Sequence, residues 1–312
     1  MTTTTCHAAT KPRVAALVGP TAVGKTAVAL ALAAGVGAEI VNADSLQVYR
    51  ELDIVTAKPT PAERAQVRHH LIDVADPPEP YDAARYSLAG REVLADLHRR
   101  GVPPLVAGGT GLYLKALLMG LFPEGEPLPP IRDRLRREMG CLGLPALYQR
   151  LLRLDPATAA RLHPHDTYRI LRALEVMEAT GRPLSEFIAA HRFQDAPYTV
   201  LKLGLALPRE ELYRRIEGRT ESMLAQGWLE EVRGLLARYP ADLKPLQSLG
   251  YRHLGNFLAG RWSWEEALTL LNRDTRRYAK RQLTWFGGDP EIRWFLPDET
   301  AALAAALAAF FG

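Results

Sequence analysis

Gly19, Pro20, Thr21, Ala22, Val23, Gly24, Lys25 and Thr26 follow the spacing Gly-x-x-x-x-Gly-Lys-Thr. A loop of this kind turns backbone N–H groups onto linked phosphates, and the helix that follows adds its positive end. Lys25 would act as a point charge on a terminal phosphate, and the Thr26 hydroxyl would hold Mg2+. A nucleotide, ATP included, is the usual occupant, but the pattern asks only for two linked phosphates. The alternative is an ordinary glycine turn ahead of a helix.

Further along, Asp44 follows the apolar run EIVNA. It could ligate magnesium, act as a general base, or cap the next helix by accepting free N–H groups. The segment AGGTG (107–111) brings a backbone approach and the Thr110 hydroxyl to the end of another apolar run, or is simply a strand-to-helix turn. Arg273, Arg276, Arg277, Lys280 and Arg281 are spaced to share one helical face, followed by Trp285 and Phe286. A cationic face beside aromatics suits a nucleic-acid backbone with unstacked bases, and a solvated helix face is the plain alternative, weakened here because Asp274 is the only acid within that stretch. A second group comprises Arg132, Arg134, Arg136, Arg137, His163, His165, Arg169 and Arg172, for which salt bridges to Glu138 and Glu175 are a competing role. The histidines lack metal-binding spacing, and Cys6 and Cys141 support neither a disulfide framework nor a zinc site.

The elements needed to position these groups read as alternating strands and helices. VAALV (14–18), EIVNAD (39–44) and VPPLVAGGTG (102–111) read as strands, with helices after the phosphate loop, near 83–99 and from LYLKALLMG. This is a parallel α/β sheet, whose ligands sit beyond the carboxyl ends of its strands. All the glycine and carboxylate signals fall there. A proline-rich stretch at 122–130 opens a run of helices, with turns expected at Gly140, Pro156, Pro164 and Gly181. Strand patterning returns at 198–208, and EIRWFL reads as a last edge strand. The expected organisation is a disordered tail (1–12), a P-loop α/β core flanked by helices (13–121 and 197–312), and an inserted all-helical domain (122–196).

The chain has 312 residues, 47% of them hydrophobic, enough for a sizeable core. Its formal net charge is +4, and just seven of the 39 basic residues are lysines, so arginine, suited to phosphate, carries most of the charge. The first dozen residues lack an apolar signal-peptide region, and the last apolar stretch is too short for a bilayer. A cytoplasmic, monomeric protein without membrane attachment is expected.

GPTAVGKT, DSLQVYRELDIVTAKP, HHLIDVADP, LVAGGTGLYLKAL, RILRALEV, SLGYRHL and AKRQLTWF, in this order, resemble the bacterial tRNA dimethylallyltransferases over residues 13–295. The resemblance implies transfer of a dimethylallyl group from dimethylallyl diphosphate to the 6-amino group of the adenosine 3′ of the anticodon, in tRNAs reading codons that begin with U. It implies that residues 19–26 hold the donor's diphosphate with Mg2+, that Asp44 is the base, and that Thr110 contacts the target nucleotide. It places Arg215 near the diphosphate, with Arg219 as a rival. It also implies contacts to the anticodon stem-loop from Asp44, Ser45, Leu46, Gln47 and Thr110, from Arg132, Tyr168, Arg169 and Arg172, from Gln247, Gly250, Tyr251 and Arg252, and from Lys280, Arg281, Gln282 and Trp285. Tyr168 departs from the glutamine of many relatives and offers stacking in place of hydrogen bonding. An ATP-dependent kinase and an RNA-binding module with a vestigial phosphate site are the competing classes.

Overall fold

A computed structural model describes residues 11–120, 129–191 and 196–312. The expected tail lies almost wholly outside these, as does most of the proline-rich stretch. The chain divides into two compact units, residues 119–196 and the remainder.

The larger unit is built on a six-stranded parallel sheet in the order β3-β2-β4-β1-β5-β6. The strands are β1 (Arg13–Val18), β2 (Glu39–Asn42), β3 (His69–His70), β4 (Pro104–Gly108), β5 (Thr199–Leu205) and β6 (Arg293–Phe295). Helices α1 (Lys25–Val36), α2 (Pro61–Gln66), α3 (Ala83–Arg99) and α4 (Gly111–Met119) lie among the first four strands. Ala15, Leu17, Ile40, Leu105 and Leu203 join a core with α1 residues Val28, Ala29 and Leu32 and with Leu303 and Leu307 of the C-terminal helix. Their neighbours Val14, Ala16, Val41 and Val106 are equally buried, and α3 contacts β2 and β4. Burial on both faces explains why these strands read as unbroken apolar runs. The two-residue β3 is not expected from the sequence; it pairs with Ile40 and Val41, too briefly to show any periodicity.

The smaller unit is helical: α5 (Pro129–Leu154), α6 (Pro156–Ala159), α7 (Thr167–Thr180) and α8 (Leu184–His191). Leu135, Leu147, Leu151, Ile170 and Leu174 form its centre. The break expected at Gly140 falls instead at Gly143, where φ is 78°. A positive φ costs glycine little, and Pro145 follows closely.

After β5 the larger unit continues with α9 (Arg209–Ala225), α10 (Trp228–Arg238), α11 (Tyr251–Leu258), α12 (Trp264–Gly287) and, after β6, α13 (Thr300–Phe311). Ser263 caps α12 through Glu266 N–H, and Glu266 reaches back to Ser263 N–H, so this long helix has a defined start.

Candidate active site

Three neighbouring strands, β2, β4 and β1, end where the chemistry-bearing residues begin. The loop after β1 is buried at Gly19 and Pro20. It turns through left-handed conformations at Ala22 (φ 65°) and Gly24 (φ 102°). A side chain at Gly19 would meet the Leu205 carbonyl at 2.6 Å, which accounts for glycine there. Gly24 stands at the N-cap of α1, which has no side-chain cap and no acid in its first turn. The first N–H groups of such a helix are unpaired within the helix and favour an anion.

Lys25 folds back onto the loop, donating to the Gly19 carbonyl at 2.9 Å and the Pro20 carbonyl at 2.6 Å. Burial lowers its pKa to about 7, helped by the positive charge of Arg219 and opposed by Asp44. Burial also lowers the pKa of Arg219, again opposed by Asp44. Two cations and one carboxylate thus share one field, a site short of negative charge. Of the two candidate arginines, Arg215 pairs with Glu211 and donates to the Val23 carbonyl at 3.4 Å, beside the loop, while Arg219 feels Lys25 and Asp44.

Asp44 is held by backbone. Its N–H donates to Asn42 Oδ1 (3.2 Å), and its Oδ1 accepts from Leu46 N–H (2.9 Å) and Gln47 N–H (3.4 Å). The expected helix cap is corrected: a turn, not a helix, follows Asp44, and its Oδ1 closes that turn; no hydrogen bond to Oδ2 is seen among the described residues. Asp44, Asn42, Gln47, Lys25 and Thr26 line one cavity with the Gly108–Gly109 turn. Asp44 and Thr26 among them carry oxygen ligands of the kind Mg2+ prefers, and no cluster of three acidic or metal-binding side chains occurs among the described residues. The residues fit partial coordination of such an ion.

The turn after β4 is pressed between two elements. A Cβ on Gly108 would lie 2.2 Å from the Ala43 carbonyl oxygen, one on Gly109 2.3 Å from Gln282 Nε2, and one on Gly111 2.1 Å from Trp285 Nε1. Thr110 Oγ1 accepts from Ser45 N–H at 3.0 Å, and Thr110 N–H donates to the Ala43 carbonyl at 3.1 Å. Tyr278, one turn before Gln282, faces Thr110; burial and the nearby Asp44 charge raise its pKa, so it stays protonated. Sequence reasoning misses Tyr278, because nothing marks a single tyrosine on a helix more than 150 residues further along the chain.

The other expected contacts divide by exposure. Lys280, Arg281, Arg252 and Gln247 are exposed, and Trp285 is 46% exposed. Ser45 and Leu46 are partly buried, whereas Gln47 donates to the carbonyls of Thr56 and Ala57. Gly250 and Tyr251 are buried, and the Tyr251 hydroxyl donates to Glu231 at 2.6 Å. Gln282, 6% exposed, is engaged inside the protein. Asp274 pairs with Arg252, Arg273 and Arg277, and Arg276 pairs with Glu217, so the α12 cationic face has one more counter-charge than its own stretch of sequence contains. In the helical unit, Tyr168 is 78% exposed, Arg169 is exposed and pairs with Asp166, and Arg132 and Arg172 both meet Glu175 at 3.1 Å.

Residues 47–289 match the family described as IPP transferase, and residues 12–75 match that described as isopentenyl transferase. The chain belongs to the IPP transferase family. A tRNA dimethylallyltransferase of Syntrophobacter fumaroxidans is 56% identical over 288 residues, covering 92% of this chain and 84% of that protein. One of Geobacter sulfurreducens is 48% identical over 98% of this chain and 99% of its own. Among solved structures, the tRNA isopentenylpyrophosphate transferase of Bacillus halodurans superposes with a TM-score of 0.72 at 35% identity, covering 96% of this chain and 97% of the other. A eukaryotic dimethylallyltransferase acting on tRNA gives 0.80 at 27% identity, covering 94% and 77%. The α/β class read from the sequence agrees with these IPP transferase folds. Among the described residues no helix is long and apolar enough to cross a membrane.

Proposed function

We propose that this IPP transferase moves a dimethylallyl group from dimethylallyl diphosphate to the 6-amino group of the adenosine 3′ of the anticodon, in tRNAs reading codons that begin with U. The observation that carries the reading is the cavity where the uncapped start of α1, Lys25, Thr26 and Asp44 meet. Residues 19–26 receive the diphosphate. As the carbon–oxygen bond breaks, charge grows on the leaving diphosphate, and backbone N–H groups and Lys25 stabilise it. Lys25 exchanges its two loop carbonyls for phosphate oxygens. Thr26 would help hold Mg2+, which supplies further stabilisation of the leaving group.

The adenine amine is a weak nucleophile, because its lone pair is drawn into the ring. Asp44 accepts its proton through the oxygen that its backbone partners leave uncommitted. Thr110, tied to Ser45, orients the target nucleotide. The base reaches this cavity by leaving its stack, as is general for enzymes that act on bases. The exposed cations of α12, with Trp285 beside them, suit the RNA backbone and an unstacked base. In the helical unit, Tyr168 and Arg169 suit the stem.

The test uses the purified chain, Mg2+, labelled dimethylallyl diphosphate and an anticodon stem-loop, with the RNA then digested to nucleosides. Label on N6 of that adenosine alone is expected. Label at another nucleoside, or none, contradicts the reading.

A further inference from the structure

We infer that Gln282 is a positioning residue for the phosphate loop and not an RNA contact. Its Oε1 accepts from Thr21 N–H at 2.8 Å, and its Nε2 donates to the Gly109 carbonyl at 2.9 Å. One side chain thus clamps the loop after β1 to the turn after β4, the two segments that would carry diphosphate and target nucleotide. A primary amide suits this place, because its one end offers an acceptor and a donor together. A glutamate cannot donate when ionised, a lysine cannot accept, and a methionine does neither. The close approach of Gly109 to Nε2 leaves no room for any other residue in the turn without movement.

The clamp matters most when the site is filled. Lys25 now holds the carbonyls of Gly19 and Pro20. Once Lys25 turns to phosphate, side-chain support for the loop backbone from elsewhere in the described residues rests on Gln282 and on the longer contact of Arg215 to the Val23 carbonyl. The Thr21 N–H is already committed to Gln282, so the N–H groups from Ala22 onward are the ones left for the anion. Gln282 lies on the buried side of α12, between Tyr278 at Thr110 and Trp285 at Gly111, while Lys280 and Arg281 are exposed. Any shift of α12 on RNA docking would therefore move the loop and the Thr110 turn together.

This inference rests on the diphosphate reading of the loop, and the experiment separates the two. In the full chain, Gln282→Met and Lys280→Ala are compared with wild type for three quantities: affinity for inorganic diphosphate with Mg2+, affinity for the stem-loop without donor, and the KM and kcat of transfer. Leaving one buried and one part-buried backbone group unpaired in Gln282→Met is expected to weaken diphosphate binding by about tenfold or more, with stem-loop affinity kept within about twofold. Lys280→Ala should instead lower stem-loop affinity severalfold and leave diphosphate binding within about twofold. A Gln282→Met chain that binds diphosphate normally, or that loses RNA affinity alone, overturns the inference. Should that variant fail to fold, hydrogen exchange at the wild-type Thr21 amide decides: slow exchange supports the clamp, and exchange at the rate of an exposed loop amide refutes it. Weakened diphosphate binding in Gln282→Met, beside a wild type that transfers no prenyl group, would keep the clamp and reject the transfer reading.

Discussion

The sheet edge and the inserted helical unit both gather charged and polar side chains, but they hold them differently. At the sheet edge, backbone groups do the holding: Leu46 and Gln47 N–H fix Asp44, Ser45 N–H fixes Thr110, and loop carbonyls fix Lys25. In the insertion, ion pairs do it. Glu175, buried, takes Arg132 and Arg172, and Glu178 takes Arg134 and Arg150. A group fixed by backbone keeps its charge for a substrate. A group fixed by an opposite charge has spent much of it, and its first service is to hold its own helices together. Arginines of one sequence pattern can therefore be structural in one region and ligand-facing in another.

The largest effect that would sharpen this contrast is at Asp44. Asp44→Asn retains the oxygen that accepts from Leu46 and Gln47, so the melting temperature should stay put. Transfer should slow by ~10²–10⁴-fold, the usual share of a general base. A large loss of stability in that variant would place Asp44 with the structural residues.

Next is Glu175→Gln in the insertion. Removing one charge there leaves two arginines facing a neutral amide, and about 1–3 kcal/mol of stability should go. Urea melts with limited proteolysis would show it as earlier cleavage within residues 129–191. Unchanged stability would mean that these arginines are not principally structural.

Glu39 extends the ion-pair rule to the start of β2. Hydrogen bonds from Arg100, then from His70, hold its pKa down at about 2 against the opposing effect of burial. A depressed folded pKa gives stability that is complete above the ordinary glutamate range and is lost as pH falls towards 2. Glu39→Gln should cost about 1 kcal/mol at neutral pH, discounted for the partial exposure of Arg100. The wild-type and variant melting temperatures should converge in acid; curves that run parallel to low pH would refute the pairing.

The smallest effect expected is at Lys280, exposed and with no carboxylate partner among the described residues. Lys280→Ala should leave stability within about 0.5 kcal/mol. Stem-loop affinity should fall severalfold and its logarithmic salt slope should drop by about one. An unchanged slope would remove Lys280 from the RNA-facing surface.

Much of the sheet edge is legible in the amino-acid sequence. The phosphate loop is a local spacing, Asp44 directly follows an apolar strand, and Thr110 sits in a glycine turn at the end of another. What is not legible lies in contacts between distant parts of the chain. Gln282 and Thr21 are 261 positions apart, and no local pattern distinguishes a glutamine that faces RNA from one that clamps a loop. Tyr251 and Gly250 likewise read as contacts from their place in a motif, whereas burial decides what they can touch. The two-residue β3 and the choice of Gly143 over Gly140 turn on pairing and on a backbone angle, to which composition is blind.

The central claim is that residues 19–26 hold a prenyl diphosphate whose carbon–oxygen bond breaks, and not a nucleotide that is cleaved. The most direct measurement is a single-turnover assay with the stem-loop and Mg2+, following release of inorganic diphosphate and prenylation of RNA, with ATP run in parallel. The account predicts one diphosphate released for each group transferred, dependence on RNA, and intact ATP. RNA-stimulated ATP cleavage, with no diphosphate released from the prenyl donor, would contradict it.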